Sequence, residues 1–128
     1  MATATNRERV HTYLLIKGAG PAERVVVWDT QDISVGRAGD NDLAIEDAAL
    51  SRKHAEFYRE GGAYAVKDLN TSNGTTVNGD TIRTHKLQNK DVVRIGDVEI
   101  SFIQSPKNPA QIGKKVEFVQ GKRTETLY

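Results

Sequence analysis

The chain contains no cysteine, which excludes disulfide bridges and thiolate metal sites. Aromatic residues are scarce, at 6% with a single tryptophan, so a core has to rest on Val, Ile, Leu and Ala. Net charge is nearly absent. At +1 no global basic field points to nucleic acid or to a membrane surface as a partner. No apolar run approaches the length needed to cross a bilayer, and Met1 to Arg9 lacks the apolar centre of a signal peptide. A cytoplasmic setting is the expectation. A sustained 3.6-residue apolar period is missing too, so no long helix is expected, and Asp42 to Ala49 supports a helical turn at most.

The 128 residues suffice for one compact domain. Eleven glycines punctuate short β-rich segments at close spacing. His11–Lys17, Arg24–Asp29, Ile33–Gly36, Leu43–Ile45, Lys53–Glu60, Ala63–Asp68, Thr76–Val77, Thr81–Ile82, Asp91–Ile95 and Val98–Ile103 read as strands. Ala55 and Phe57 fall on one face of their strand, with His54, Glu56 and Tyr58 on the other. Gly61-Gly62, Asn78-Gly79 and Gly96-Asp97 read as hairpin turns, where positive φ is needed. The pattern predicts an all-β antiparallel sandwich or barrel.

The organisation is a flexible N-terminal arm (1–11), one β domain (12–104) and a basic tail (105–128). The tail carries five Lys and Arg against two Glu, which is usually a solvated segment. Within it Lys115 to Val119 alternates and is compatible with one added edge strand.

The unusual chemistry lies in loops. Arg37, Ser51, Arg52, Thr71, Ser72, Asn73 and Asn78 bring guanidinium, hydroxyl and carboxamide groups with no evident base or nucleophile. Such groups hold an oxyanion and do not transform it. A phosphoryl group has about −1.5 to −2 charge and three acceptor oxygens, and arginine presents a matching fork of donors. Ser51 and His54 stand three apart, and no carboxylate is placed by sequence to orient His54, so a catalytic pair is rejected. Asp40-Asn41-Asp42 with Glu46 and Asp47 lacks the glycine and terminal Glu of a calcium loop. Neither a metal nor a cofactor is expected.

Three blocks occur in order: Gly36-Arg37, Ser51-Arg52-Lys53-His54-Ala55, and Leu69-Asn70-Thr71-Ser72-Asn73-Gly74-Thr75-Thr76-Val77-Asn78-Gly79. Together they resemble the forkhead-associated (FHA) domain, a reader of phosphorylated motifs, over roughly residues 12–104. The resemblance implies a two-sheet FHA/SMAD-like sandwich with its binding loops at one end. It implies phosphothreonine-dependent peptide binding, with phosphothreonine preferred over phosphoserine, and no catalysis. By the same resemblance Arg37 and Ser51 would hold the phosphate, and Arg52 would add a phosphate or backbone contact. Ser72 would line the phosphate and methyl pocket, Asn73 would bond the peptide backbone, and Asn78 would contact the peptide further along. Gly36, His54 and Gly74 would shape the site. The partner would be a phosphothreonine protein in Ser/Thr-kinase signalling. The chain's own tail is a second candidate ligand. Leu127 stands three after Thr124, the position the family often reads, with Thr126 beside it and Thr3 and Thr5 as rivals. The competing reading is a phosphate-independent β-sandwich scaffold.

Overall fold

The computed structural model describes residues 10–20, 22–29, 31–109 and 116–118. Twelve strands run through them: β1 (His11–Lys17), β2 (Arg24–Val27), β3 (Ile33–Gly36), β4 (Leu43–Ala44), β5 (Ala55–Glu60), β6 (Ala63–Asp68), β7 (Thr76–Val77), β8 (Asp80–Thr81), β9 (Thr84–Lys86), β10 (Val92–Ile95), β11 (Val98–Ser105) and β12 (Val116–Phe118). They form the expected sandwich. One sheet has the order β12-β2-β1-β11-β10-β7-β8 and the other β4-β3-β5-β6-β9. No α-helix occurs among the described residues.

The two-residue period sets the core. In β11 Val98, Ile100 and Phe102 are buried while Glu99, Ser101 and Ile103 are not. In β5 Ala55 and Phe57 turn inward, and in β1 Leu14 and Ile16 do the same. Each such side chain contributes roughly 1.5–3 kcal/mol by leaving water. Trp28, just past β2, joins the sheets at one end. Its ring meets Phe57, Tyr64 and Phe102 edge-on, with centroids 5.7, 4.7 and 5.8 Å away.

The hairpins follow local backbone demand. Gly61 and Gly62 take φ of 58° and 86°, and Asn78 and Gly79 take 52° and 92°, the conformation of two-residue turns that match strand twist.

Three features depart from the sequence reading. The sandwich is not purely antiparallel, because β3–β4 and β12–β2 pair in parallel. These contacts join segments whose order in the chain says nothing about their direction. Strand β9 was not anticipated. It is short and polar (Thr84-His85-Lys86), so no alternation marks it. His54 is fully buried, although alternation put it on the face opposite Phe57. It precedes β5, where the strand period no longer governs.

In the tail, Val116–Phe118 lies beside β2, and Glu117 receives Arg24 Nε and Nη2 at 2.7 Å each. Thr3, Thr5, Thr124 and Thr126 lie outside the described residues.

Phe57 is 0% exposed and touches Trp28 across the core. Phe57→Ala should therefore lower unfolding free energy by about 3–5 kcal/mol, read by urea denaturation followed through Trp28 fluorescence. A cost within 1 kcal/mol, as for a surface site, would contradict this packing.

Candidate functional site

Three loops meet at the end of the sandwich where β3 and β6 finish and β5 and β7 begin. They hold residues 37–42, 45–54 and 69–75. Main-chain contacts zip the first two together. Arg37 N donates to Ser51 O at 3.0 Å and Ala38 N to Arg52 O at 3.2 Å. Asn41, 7% exposed, donates through Nδ2 to the carbonyls of both Ala38 and Arg52 at 2.8 Å. The sequence reading treated Asn41 only as part of an acidic turn. Its role depends on a contact eleven residues away, which no local pattern shows.

Gly36 is required by this closeness. A Cβ there would lie 2.2 Å from Arg52 O, so any side chain would force the two loops apart.

His54 ties the third loop to the second. Its Nδ1 accepts from Ser51 N at 3.0 Å, so Nδ1 carries no proton. The proton sits on Nε2 and donates to Gly74 O at 2.9 Å. Ser51 and His54 do meet, but through the serine's backbone N–H. The hydroxyl is not bonded to the ring, so the contact is structural and not a nucleophile–base pair.

Asp68 organises the third loop from below. Its carboxylate accepts Thr71 N at 2.9 Å, Thr71 Oγ1 at 2.8 Å and Thr75 Oγ1 at 2.7 Å. Thr71 Oγ1 in turn accepts Gly74 N at 2.9 Å, and Gly74 adopts φ +79°. Burial pushes the Asp68 pKa up. The hydrogen bonds from Thr71 and Thr75 outweigh it and hold the group below the usual carboxylate range. This acid–threonine cluster was missed in the sequence, where Asp68 read only as a strand end.

The residues expected to touch ligand differ in how they are held. Arg37 is exposed and anchored at one point, with Nε donating to Leu50 O at 3.1 Å. Asn73 is likewise exposed, and its Nδ2 donates to Ala49 O at 2.8 Å. Among the described residues nothing meets Arg37's terminal nitrogens, Asn73 Oδ1, or the side-chain polar atoms of Ser51, Arg52 and Ser72. These free groups belong to three adjoining loops. Beside Asn73 lies an open cavity of about 250 Å³ lined by Ala49, Asn73, Gly74, Thr76, Arg94, Gly96 and Asp97.

Asn78 is placed differently. Its Nδ2 donates to Asp91 Oδ1 and its Oδ1 accepts Val92 N, both at 2.9 Å. Both ends of the carboxamide fix the β7–β8 turn to β10, and each keeps one further position, a second N–H and a second lone pair, for the peptide contact expected of Asn78. Among the described residues no cluster of three His, Asp or Glu side chains suits a metal ion.

Comparison with known proteins places these loops in a family context. The model of the FHA domain matches residues 33–96. The chain is 38% identical over 96 residues to the glycogen accumulation regulator GarA of Mycolicibacterium smegmatis, covering 74% of this chain and 61% of that protein. It is 36% identical over 95 residues to the oxoglutarate dehydrogenase inhibitor of Corynebacterium jeikeium, covering 73% and 66%. The chain thus spans less than two thirds of the length of these relatives. A solved FHA domain, from work on phosphothreonine-dependent FHA domain interactions, superposes with a TM-score of 0.65 at 28% identity, covering 73% of this chain and 95% of that one.

The depressed Asp68 pKa has a sign that can be worked out. A carboxyl more acidic in the folded than in the unfolded chain contributes stability that is complete above its unfolded pKa, about 4. That stability is lost as pH falls through the lower folded value. Asp91, held low by bonds from Gln88, Asn78 and His85 against its burial, acts in the same direction. Thermal stability should fall as pH drops below about 4, and Asp68→Asn should flatten that slope. An unchanged slope in Asp68→Asn would show that the cluster does not stabilise the ionised form.

Proposed function

The chain belongs to the FHA domain family, and on that premise we propose that it is a non-catalytic reader of phosphothreonine peptides, bound across the 37–42, 45–54 and 69–75 loops. The carrying observation is the division of labour within Arg37 and Asn73. One nitrogen of each is fixed to a carbonyl of the 49–50 segment, and the remaining polar atoms stay free. A guanidinium held this way keeps its outer N–H groups for phosphate oxygens. Ser51 adds a hydroxyl whose backbone position is set by His54, and Arg52 and Ser72 add free polar groups from the same set of loops. Asn73 Oδ1 is free to accept a peptide N–H beside the phosphorylated residue. Gly36, His54 and Gly74 hold the loops without facing ligand. We place this reader in the cytoplasm within Ser/Thr-kinase signalling, a setting that suits a phosphothreonine ligand.

The test is retention of a degenerate phosphothreonine peptide library, with phosphoserine and unphosphorylated libraries as controls. Arg37→Ala should abolish retention and leave the fold intact. Arg37→Lys should also fail, because an ammonium cannot reproduce the fork. Ser51→Ala should weaken binding by roughly 1.5–3 kcal/mol, the worth of one charged hydrogen bond. Affinity should fall below about pH 6, where the phosphate loses its second charge. Binding that ignores phosphorylation and survives Arg37→Ala would replace this reading with a phosphate-independent scaffold.

The chain's own threonines are candidate ligands of the same site. Phe118 pairs with Val27 near the pole opposite the loops. From Phe118 to the β10–β11 turn beneath the loops is about 22 Å, from three strand spacings sideways and five residues along. Thr124 and Thr126, six and eight residues beyond Phe118, reach at most about 21 and 28 Å, so either phosphorylated side chain docks on a second molecule or on its own domain. After enzymatic phosphorylation, Arg37-dependent dimerisation would mark the first case and Arg37-dependent compaction the second. Unchanged hydrodynamic size would remove tail binding altogether.

A further inference from the structure

The pole opposite the phosphate loops has a second polar cavity. It is open to solvent, about 220 Å³ in volume, and lined by Val10, His11, Thr12, Val27, Trp28, Asp29, Arg59 and Tyr64. Arg59 lines it for a reason of register. It follows Ala55 and Phe57 on the core-facing side of β5 and pairs with Tyr64 of β6. A charged side chain is thus turned toward the space between the sheets, where the next apolar residue would be expected.

The guanidinium lies over the Tyr64 ring, 4.6 Å from its centroid. The ring face attracts the charge but accepts no in-plane hydrogen bond. Arg59 Nε is shut off from water and meets no acceptor. Among the described residues no carboxylate comes within ion-pair distance of Arg59. A ligand in the cavity cannot reach the sealed Nε and meets the guanidinium at its terminal nitrogens, a planar pair of donors suited to a carboxylate. Asp29 is exposed and also lines the cavity. It disfavours a bare anion and favours a carboxylate that carries N–H donors beside it. Val10, 58% exposed, supplies an apolar rim.

We propose that this cavity is a second binding site, which takes the carboxylate of an acidic peptide residue on Arg59, stacked against Tyr64, with the peptide's N–H groups toward Asp29. Five residues of strand separate Arg59 from His54, about 16 Å. The two sites are therefore independent, and a phosphopeptide and an acidic segment can be held together. The acidic residue comes either from another polypeptide or from this chain's Glu8, two residues before Val10 in the sequence.

Trp28 is the sole tryptophan and lines the cavity, so its emission reports on this site. The probe is N-acetyl-glutamate methylamide, titrated into the full chain, with N-acetyl-glutamine methylamide and sulfate as controls. The blocked glutamate should shift Trp28 emission saturably, and the glutamine should not. Arg59→Met should weaken the response about tenfold or more, while retention of phosphothreonine peptide shows that the variant is folded. Arg59→Lys should weaken it as well. A response in the wild-type chain assigns the site to an external acidic residue. A response seen only in Glu8→Gln shows that Glu8 occupies it. Silence in both chains, a response unchanged in Arg59→Met, or sulfate acting as strongly as the blocked glutamate overturns the proposal.

Discussion

The binding end of the molecule depends on one buried imidazole. A neutral histidine is a donor at one ring nitrogen and an acceptor at the other, and His54 uses both ends on the backbone. It accepts from Ser51 N and donates to Gly74 O, so a single rigid ring fixes the distance between two loops. Neither loop could hold its shape alone, since both are short of strand pairing. Below it Asp68 and its two threonines close the remaining backbone donors. A buried polar network of this kind is stabilising only when complete, and here each member has its partners among neighbours in the same network.

The order this imposes bears on the proposed reading, in which few groups hold a phosphate. Arg37 and Asn73 lose rotamer freedom to the carbonyls of Leu50 and Ala49 before any ligand arrives. The entropy of holding them is thus already spent in folding, and binding has less to overcome. The anchors are carbonyls because a carbonyl can accept from a guanidinium or an amide without competing for the ligand's negative charge. The donors that remain outward are therefore free to meet it.

Much of this was legible in the sequence, for reasons that are local. Gly61-Gly62 and Asn78-Gly79 marked hairpins because few residues tolerate positive φ. Alternation in Val98 to Phe102 marked an inward face because a strand has a period of two. The ordered blocks around Arg37, Ser51 and Asn73 carried a resemblance to the family whose model matches residues 33–96. What stayed hidden depends on partners distant in the chain. The parallel seating of β4 and β12, the two-carbonyl clamp of Asn41, the burial of His54 and the capture of Asn78 by Asp91 and Val92 are all set by contacts that composition and period do not encode. Asn78 is the instructive case. A carboxamide in a polar turn has the chemistry of a ligand contact, and only the tertiary neighbours show that both its ends also fix the turn to β10.

Among the described residues two buried polar side-chain atoms lack partners, and they are not equivalent. Asn41 Oδ1 is one of them. The orientation of that amide is fixed, because its nitrogen faces two carbonyls and a flipped oxygen would face them too. A neutral carbonyl left short of donors is the milder form of this defect. It accompanies a clamp that makes two good bonds and brings two loops together. Arg59 Nε is the severe form, a donor on a permanent charge, and the Tyr64 ring face beside the guanidinium offsets part of its cost. A Leu or Met at the same inward register would fill the space without that cost. Nε stays sealed whatever enters the cavity, so the proposed ligand acts on the terminal nitrogens, where a carboxylate adds the charge-assisted bonds that a ring face does not supply.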